Sequence, residues 1–301
     1  MIFDHDGVIA IDTFMHGREG ITAAYVLPGS FPALIEVGPA TSFDAVMEGL
    51  SEAGVGGLKV IVVTHIHLDH AGAIGHFAKE FPDARVVVRK EGAPHLVDPS
   101  RLWASASRIY DDMEGLWGEL IPVPEDRIQV ISDDGTFVDL GAGRSLSAIY
   151  TPGHASHHMS ILETSQDDLF AGDAIGVYSQ DANMIRPATP PPEFYPDVAI
   201  ASIEKLAELS PKRLFPTHFG PAPVPDAFTE GAERIRQWVA AVEEVFTLDA
   251  DVASIADALR SRREEFYPGM TDEVIEKLEN TTSYELNAAG ILRFLKKRAE
   301  G

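Results

Sequence analysis

The sequence contains no cysteine. That single absence removes disulfides, thiolate metal ligands and a cysteine nucleophile, so any metal site must be built from nitrogen and oxygen. Apolar runs approaching the roughly 18 residues that span a bilayer are also missing. Positive charge is scarce: 24 lysines and arginines stand against 47 aspartates and glutamates, a formal net charge of −23. A surface of that sign repels polyanions at long range and keeps a protein in solution, which disfavours a nucleic-acid partner. The basic stretches Arg260-Ser261-Arg262-Arg263 and Lys296-Lys297-Arg298 read as solvated helix faces or helix C-termini. The opening residues Met1-Ile2-Phe3-Asp4-His5-Asp6 carry acid where a secretory signal carries base. The expected location is the cytoplasm.

What is present is an ordinary globular composition, 45% hydrophobic and 24% charged over 301 residues. At roughly 150 residues per domain that length suits one large domain or two modest ones. Val8–Ile11, Ile21–Leu27 and Ala33–Val37 alternate and are punctuated by Gly, Pro and Asp, which predicts an antiparallel meander. A helix is expected from Phe43 to Leu50, with Ser42 as N-cap and Gly54 ending it. Further strands are expected at 60–63, 85–88, 128–131, 136–140, 145–150, 159–162, 168–171 and 213–216, and helices at 73–81, 101–117 and 197–209. Arg186–Pro192 is too rich in proline for regular structure and is expected to be an ordered loop or a lid. From Asp226 onward the spacing is helical throughout, interrupted at Asn280–Ser283, with Ser283 as a second N-cap. Two β-rich runs with intervening helices predict two packed sheets with helices outside: a main domain over 1–225 and a helical extension over 226–301.

One stretch concentrates the chemistry. Thr64-His65-Ile66-His67-Leu68-Asp69-His70-Ala71-Gly72 places four metal-competent side chains within six consecutive residues. It follows Val60-Ile61-Val62-Val63, which has the uninterrupted β-branched character of a buried strand. Three imidazoles and a carboxylate so close together are costly to bury without a cation. Gly72 is expected to let the backbone bend into the next helix. His154, Asp173 and His218 each come just after an expected strand, and together with the hexapeptide they supply donors for two divalent cations.

Those motifs, in that order over residues 8 to 220, resemble the metallo-β-lactamase-fold superfamily, the glyoxalase II-like metallohydrolases. The resemblance implies an α/β fold of αββα layers with the metals at one edge of the sheets. It also implies a ligand assignment: His65, His67 and His154 on one ion, Asp69, His70 and His218 on the other, and Asp173 bridging them. Two adjacent ions lower the pKa of a shared water to near 7, so hydroxide becomes available to attack a carbonyl or phosphorus centre. Asp69 is placed to hold or accept the water proton. Where relatives carry an aspartate in Ile-Asp-x-Gly, this chain has Ile35-Glu36-Val37-Gly38, so Glu36 is expected to support the loop. His158 is read as a hydrogen-bonding anchor, and His157 carries no assignment. His5, His16, His76 and His95 are read as structural or exposed.

Fold alone names no substrate. About 45 residues separate Asp173 from His218, too few for the large insertion of one nuclease branch. A complete seven-residue set argues against persulfide dioxygenases, which use one iron. The expectation is a dinuclear metal-dependent hydrolase of a small ester, thioester or lactone, with zinc as the metal and iron or manganese as substitutes. The alternatives are a phosphodiesterase or nuclease of the same fold, and an iron-dependent sulfur or oxygen redox enzyme. The expected partner is a small-molecule substrate, with no membrane and with a homodimer left open. Tyr178 is a candidate for the tyrosine that lactonases place near the metals, against an ordinary loop tyrosine. Trp103, Met113 and Trp117 are candidates for a pocket wall, against core packing.

Overall fold

Val60, Ile61 and Val62 form a strand with both faces buried, and the arrangement of the first part of the chain follows from that strand. A computed structural model describes residues 1–300, which fall by their contacts into two units. One comprises Met1–Tyr150 with His157–Gly172; the other comprises Thr151–Ser156 with the chain from Asp173.

In the first unit, seven strands run in sequence order as one sheet. They are β1 (Ile2–His5), β2 (Val8–Asp12), β3 (Ala23–Leu27), β4 (Ala33–Ile35), β5 (Val60–Val62), β6 (Arg85–Arg89) and β7 (Ile128–Ile131). β1 to β4 pair antiparallel, as the turn chemistry predicts, whereas β4 to β7 are all parallel. Parallel strands are reached by helical crossovers that cover a face. The six helices of this unit are α1 (Phe43–Glu52), α2 (Leu68–Ala71), α3 (Ile74–Glu80), α4 (Ala93–Val97), α5 (Ser100–Ala106) and α6 (Met113–Trp117). Alternation along the strands sends Ile9, Ile11, Ala24, Val26, Leu34, Ile61 and Val86 into one core with Val46 and Leu50 of α1 and Phe77 of α3. Tyr25 points the other way and meets Phe170 at 5.4 Å between ring centroids. Phe170 lies in a second, antiparallel group in the order β11 (Asp168–Gly172), β10 (Met159–Glu163), β9 (Arg144–Tyr150), β8 (Gly135–Gly141). The fold class is therefore α/β, with layered sheets and helices as the sequence predicts.

The second unit holds the hairpin β12 (Val177–Ser179) and β13 (Met184–Arg186), then α7 (Pro196–Glu208) and β14 (Arg213–Pro216). The C-terminal helices follow: α8 (Asp226–Glu243), α9 (Val252–Ser261), α10 (Arg263–Phe266), α11 (Asp272–Thr281) and α12 (Tyr284–Glu300). Ser283 caps α12 as expected, its hydroxyl accepting from Leu286 N at 3.0 Å. No helix among the described residues is long and apolar enough to cross a membrane.

Three expectations need correction, and one alternative is decided. Residues 101–117 are not one helix: the chain leaves helical geometry after Ala106 and restarts at Met113, where the Asp112 carboxylate accepts from Gly115 N (2.9 Å). Ile109 is 51% exposed in that break. Ser42 makes no capping bond, because a 3₁₀ turn over Ala40–Ser42 has already placed it in helical geometry. Gly72 has ordinary helical dihedrals, so bending is not why glycine stands there. A Cβ on Gly72 would lie 2.8 Å from Pro39 Cα, so close backbone approach is the reason. Of the two alternatives for the proline-rich stretch, the ordered loop holds: Arg186–Pro190 is buried throughout and is part of the interior, not a lid.

Gly75 on α3 is packed tighter still. A Cβ there would sit 1.8 Å from the carbonyl oxygen of Ile121, a backbone atom that cannot swing away. Gly75→Ala should therefore destabilise the fold by about 1–3 kcal/mol or more. The expected reading is a lower denaturant midpoint at unchanged slope in a urea titration.

Candidate metal centre

The histidine turn lies at the carboxyl end of a parallel strand, the edge where α/β sheets place their ligands. β5 ends at Val62, and the chain then passes Thr64 and His65 before His67 opens α2, which carries Asp69 and His70 on its single turn. His65 Nε2 and His67 Nδ1 face one another at 2.9 Å, and His70 Nε2 lies 3.5 Å from an Asp69 oxygen. The His65 and His70 rings are 3.9 Å apart between centroids. Both are fully buried.

Glu36 fixes this turn from below. One carboxylate oxygen accepts from Thr64 N at 2.8 Å, and the other accepts from His70 Nδ1 at 3.0 Å. A carboxylate oxygen takes a hydrogen bond, so Nδ1 carries the proton and Nε2 presents its lone pair to the Asp69 side. Glu36 is 1% exposed and sits at φ 66°, a left-handed conformation that a side chain of this kind rarely adopts. The backbone bonds Glu36 N to Val62 O (2.8 Å) and Val37 N to His70 O (3.0 Å) hold it there.

Three further histidine positions become legible here. His157 Nδ1 accepts from Ile66 N at 3.4 Å, and its ring stacks parallel to His65 at 6.0 Å and edge-on to His67 at 5.4 Å. No residue pattern marked it, because the contact is made across sequence distance to the back of the turn. His158 is fully buried, 4.8 Å from His65 between ring centroids. A Cβ on Gly172 would lie 2.6 Å from both His158 Nε2 and Thr64 Oγ1, so glycine is required where β11 passes. His16 takes the structural side of its reading and joins an aromatic wall: its ring meets Trp117 edge-on at 5.1 Å, and Tyr110 meets Trp117 at 5.0 Å. Met15, Leu68, Met113 and Trp117 are buried together in that cluster, with Trp103 partly buried against it. Burial pushes the His16 imidazole down against the opposing pull of Asp69, and burial with the Asp69 charge pushes the Tyr110 phenol up.

In the second unit, His154, Asp173 and His218 come together around one carboxylate. His154 Nε2 lies 3.6 Å from one Asp173 oxygen, and His218 Nε2 lies 3.5 Å from the other. His154 Nδ1 donates to the carbonyl of Ala188 at 3.1 Å, which again puts the lone pair on Nε2. Gly153 before it has φ 119°, and a Cβ there would lie 2.2 Å from Ala199 N. Tyr178 donates its hydroxyl to Asn183 Oδ1 at 2.9 Å, which ties it into the β12–β13 hairpin.

The donor set fits divalent ions. Every donor is imidazole or carboxylate, and His70 and His154 have Nδ1 bonded so that Nε2 is presented. Glu36→Gln keeps an acceptor for Thr64 N but removes the charge facing His70. It should weaken divalent-metal affinity about 10- to 100-fold, read by chelator competition.

Comparison with known proteins bears on the same residues. The metallo-β-lactamase fold-containing protein ST1585 of Sulfurisphaera tokodaii is 34% identical over 167 residues, which are 54% of this chain and 61% of that protein. Its crystal structure superposes with a TM-score of 0.69 at 26% identity, covering 96% of this chain and 99% of the other. The probable metallo-hydrolase YflN of Bacillus subtilis is 31% identical over 205 residues, 64% of this chain and 76% of its own. The N-acyl homoserine lactonase AttM of Rhizobium radiobacter is 33% identical over 107 residues, 35% of each chain. A family model described as the metallo-beta-lactamase superfamily matches residues 4–218, a span that runs from β1 through the histidine turn, His154 and Asp173 to His218. By that match and the geometry of its histidines, this chain belongs to the metallo-beta-lactamase superfamily.

Proposed function

We propose that the protein is a cytoplasmic, dinuclear metal-dependent hydrolase of a small carboxylic ester, thioester or lactone, with zinc as its native metal. The observation that carries this reading is Asp173, which offers one oxygen toward His154 and the other toward His218. A carboxylate so flanked would hold divalent ions together with those histidines. In support, the histidine turn crowds its own donors, with His65 Nε2 2.9 Å from His67 Nδ1 and His70 Nε2 3.5 Å from an Asp69 oxygen. Two bound divalent ions would supply Lewis acidity to a carbonyl oxygen and a water acidic enough to ionise near pH 7.

The chain's own residues carry the remaining tasks. On this reading His65, His67 and His154 would hold one ion, and Asp69, His70 and His218 the other. Water attacks the acyl carbon, the C–O or C–S bond breaks, and the proton released passes by way of Asp69 to the leaving oxygen or sulfur. Asp69, like His67, is a partly exposed member of the histidine turn, and its side chain, 17% accessible, suits an exchanging proton. The wall of Met15, His16, Tyr110 and Trp117 near Asp69 suits the organic part of an uncharged acyl substrate. The net charge of −23 favours a small substrate over a polyanionic one. Similarity to proteins named as a metallo-hydrolase and as a lactonase points the same way.

The test combines metal analysis with a substrate panel. About two equivalents of zinc, with turnover of thioesters or lactones, are expected. Turnover of bis-p-nitrophenyl phosphate alone would replace this reading with the phosphodiesterase, and one equivalent of iron would replace it with the redox enzyme. Asp173→Asn should lower occupancy of both metals and abolish hydrolysis while leaving circular dichroism largely unchanged. His157→Ala, which removes a ring behind the turn, should cost less activity.

A further inference from the structure

His154 owes its orientation to a carbonyl, and that carbonyl is held by the last helix. Ala188 O, which accepts from His154 Nδ1, belongs to the buried stretch that follows β13. The next residue, Thr189, is fully buried and bound three ways to Asn287 of α12. Thr189 N donates to Asn287 Oδ1 at 2.9 Å, and Thr189 Oγ1 lies within donating distance of Asn287 Oδ1 (2.7 Å) and Asn287 O (3.1 Å). Asn287 is itself fixed, because its amide donates to Thr282 Oγ1 at 2.8 Å and to Ser283 O at 3.0 Å. The contact is backbone on backbone: a Cβ on Gly290, one helical turn along, would lie 1.7 Å from Thr189 O.

A second tether holds the same stretch from its other end. Arg186, the last residue of β13, is fully buried, and its guanidinium carbon lies 4.2 Å from the Tyr284 ring centroid of α12. Its Nη2 pairs with Glu279 of α11. Trp238 of α8 and Tyr267 stand at 5.3 and 5.7 Å around the same cation. A buried cation costs several kcal/mol unless paired, so this arrangement is not incidental packing. Residues 186–189 are thus clamped at both ends to α11 and α12, with the Ala188 carbonyl between the clamps.

We infer that Asn287 is a positioning residue for the metal ligand His154, acting through Thr189 and the Ala188 carbonyl, and that the C-terminal helices serve as the outer support of that ligand. This rests on the reading of His154 as a ligand in a dinuclear centre. A histidine ligand whose backbone partner drifts loses both ring orientation and tautomer, and such supporting contacts are worth about 10- to 100-fold in metal affinity. The effect should fall on one ion only, because the second set, Asp69, His70 and His218, does not include His154.

The experiment titrates zinc against a chelator in the full-length wild type and in Asn287→Ala, Thr189→Val and Thr189→Ser, with visible spectra of the cobalt-loaded forms. Wild type is expected to bind two equivalents. Asn287→Ala should weaken one of them about 10- to 100-fold and alter the cobalt spectrum. Thr189→Val, which keeps the shape of the side chain and loses its hydroxyl, should shift the same equivalent in the same direction. Thr189→Ser should restore it, a rescue that a change in stability alone would not give. If Asn287→Ala does not fold, the Val and Ser pair decides. Two equivalents of unchanged affinity in every folded variant would overturn this inference and leave the dinuclear reading standing. Fewer than two equivalents in wild type would remove that reading, and this inference with it.

Discussion

The histidine turn depends on one carboxylate. Glu36 leaves β4 in a left-handed conformation and turns its two oxygens to Thr64 N and His70 Nδ1. Without it the turn after β5 would carry a buried backbone donor with no acceptor and an imidazole with no fixed tautomer. Such groups cost about 1–3 kcal/mol each when left unsatisfied. The backbone strain at Glu36 is of similar size, roughly 1–3 kcal/mol, and the surrounding sheet bonds hold it in place. Sheet, turn and imidazole geometry are therefore one cooperative object. The parallel pairing of β4 with β5 sets Glu36 beside Thr64, and that adjacency orients His70.

The same logic recurs in the second unit with different chemistry. There the supporting acceptor for His154 is a main-chain carbonyl, and precision comes from burial of the segment that carries it. Gly153 allows the turn to press against α7, and Ser202 Oγ donates to Pro152 O at 2.6 Å from the same helix. A carboxylate support holds its imidazole by charge, whereas a carbonyl support must be held in place by everything behind it. That difference explains why so much of the second unit is built around residues 151–156 and 186–189.

Much of this was legible in the sequence, and the misses have physical causes. Strand positions followed from β-branched runs, and His65, His154, Asp173 and His218 do follow β5, β9, β11 and β14 closely in the chain. Sheet order was not legible, because the period of a strand says nothing of whether its neighbour runs parallel. β1 was missed because its residues are only partly buried and carry polar side chains. The hairpin β12–β13 was missed because each arm is three residues long and lies beside proline-rich sequence. The break after Ala106 had a signal, the Asp111-Asp112 pair, that the apolar spacing outweighed. Glu36 was noticed only as a departure from a pattern. The contacts of His157, His16 and Asn287 are long-range, and no local spacing encodes them.

The guanidinium of Arg186 has a consequence for how this chain tolerates exchange of its parts. It is covered by residues from α8, α11 and α12 and by Tyr267, all of which lie more than 50 residues later in the sequence. A chimera that took its C-terminal helices from a relative would leave this cation facing rings and an acid that no longer match it. Recombination at any point between Arg186 and Tyr284 should therefore yield insoluble protein far more often than crossovers that keep β13 and these helices from one parent. Arg186, Glu279 and Tyr284 form a linkage group, to be inherited together or replaced together.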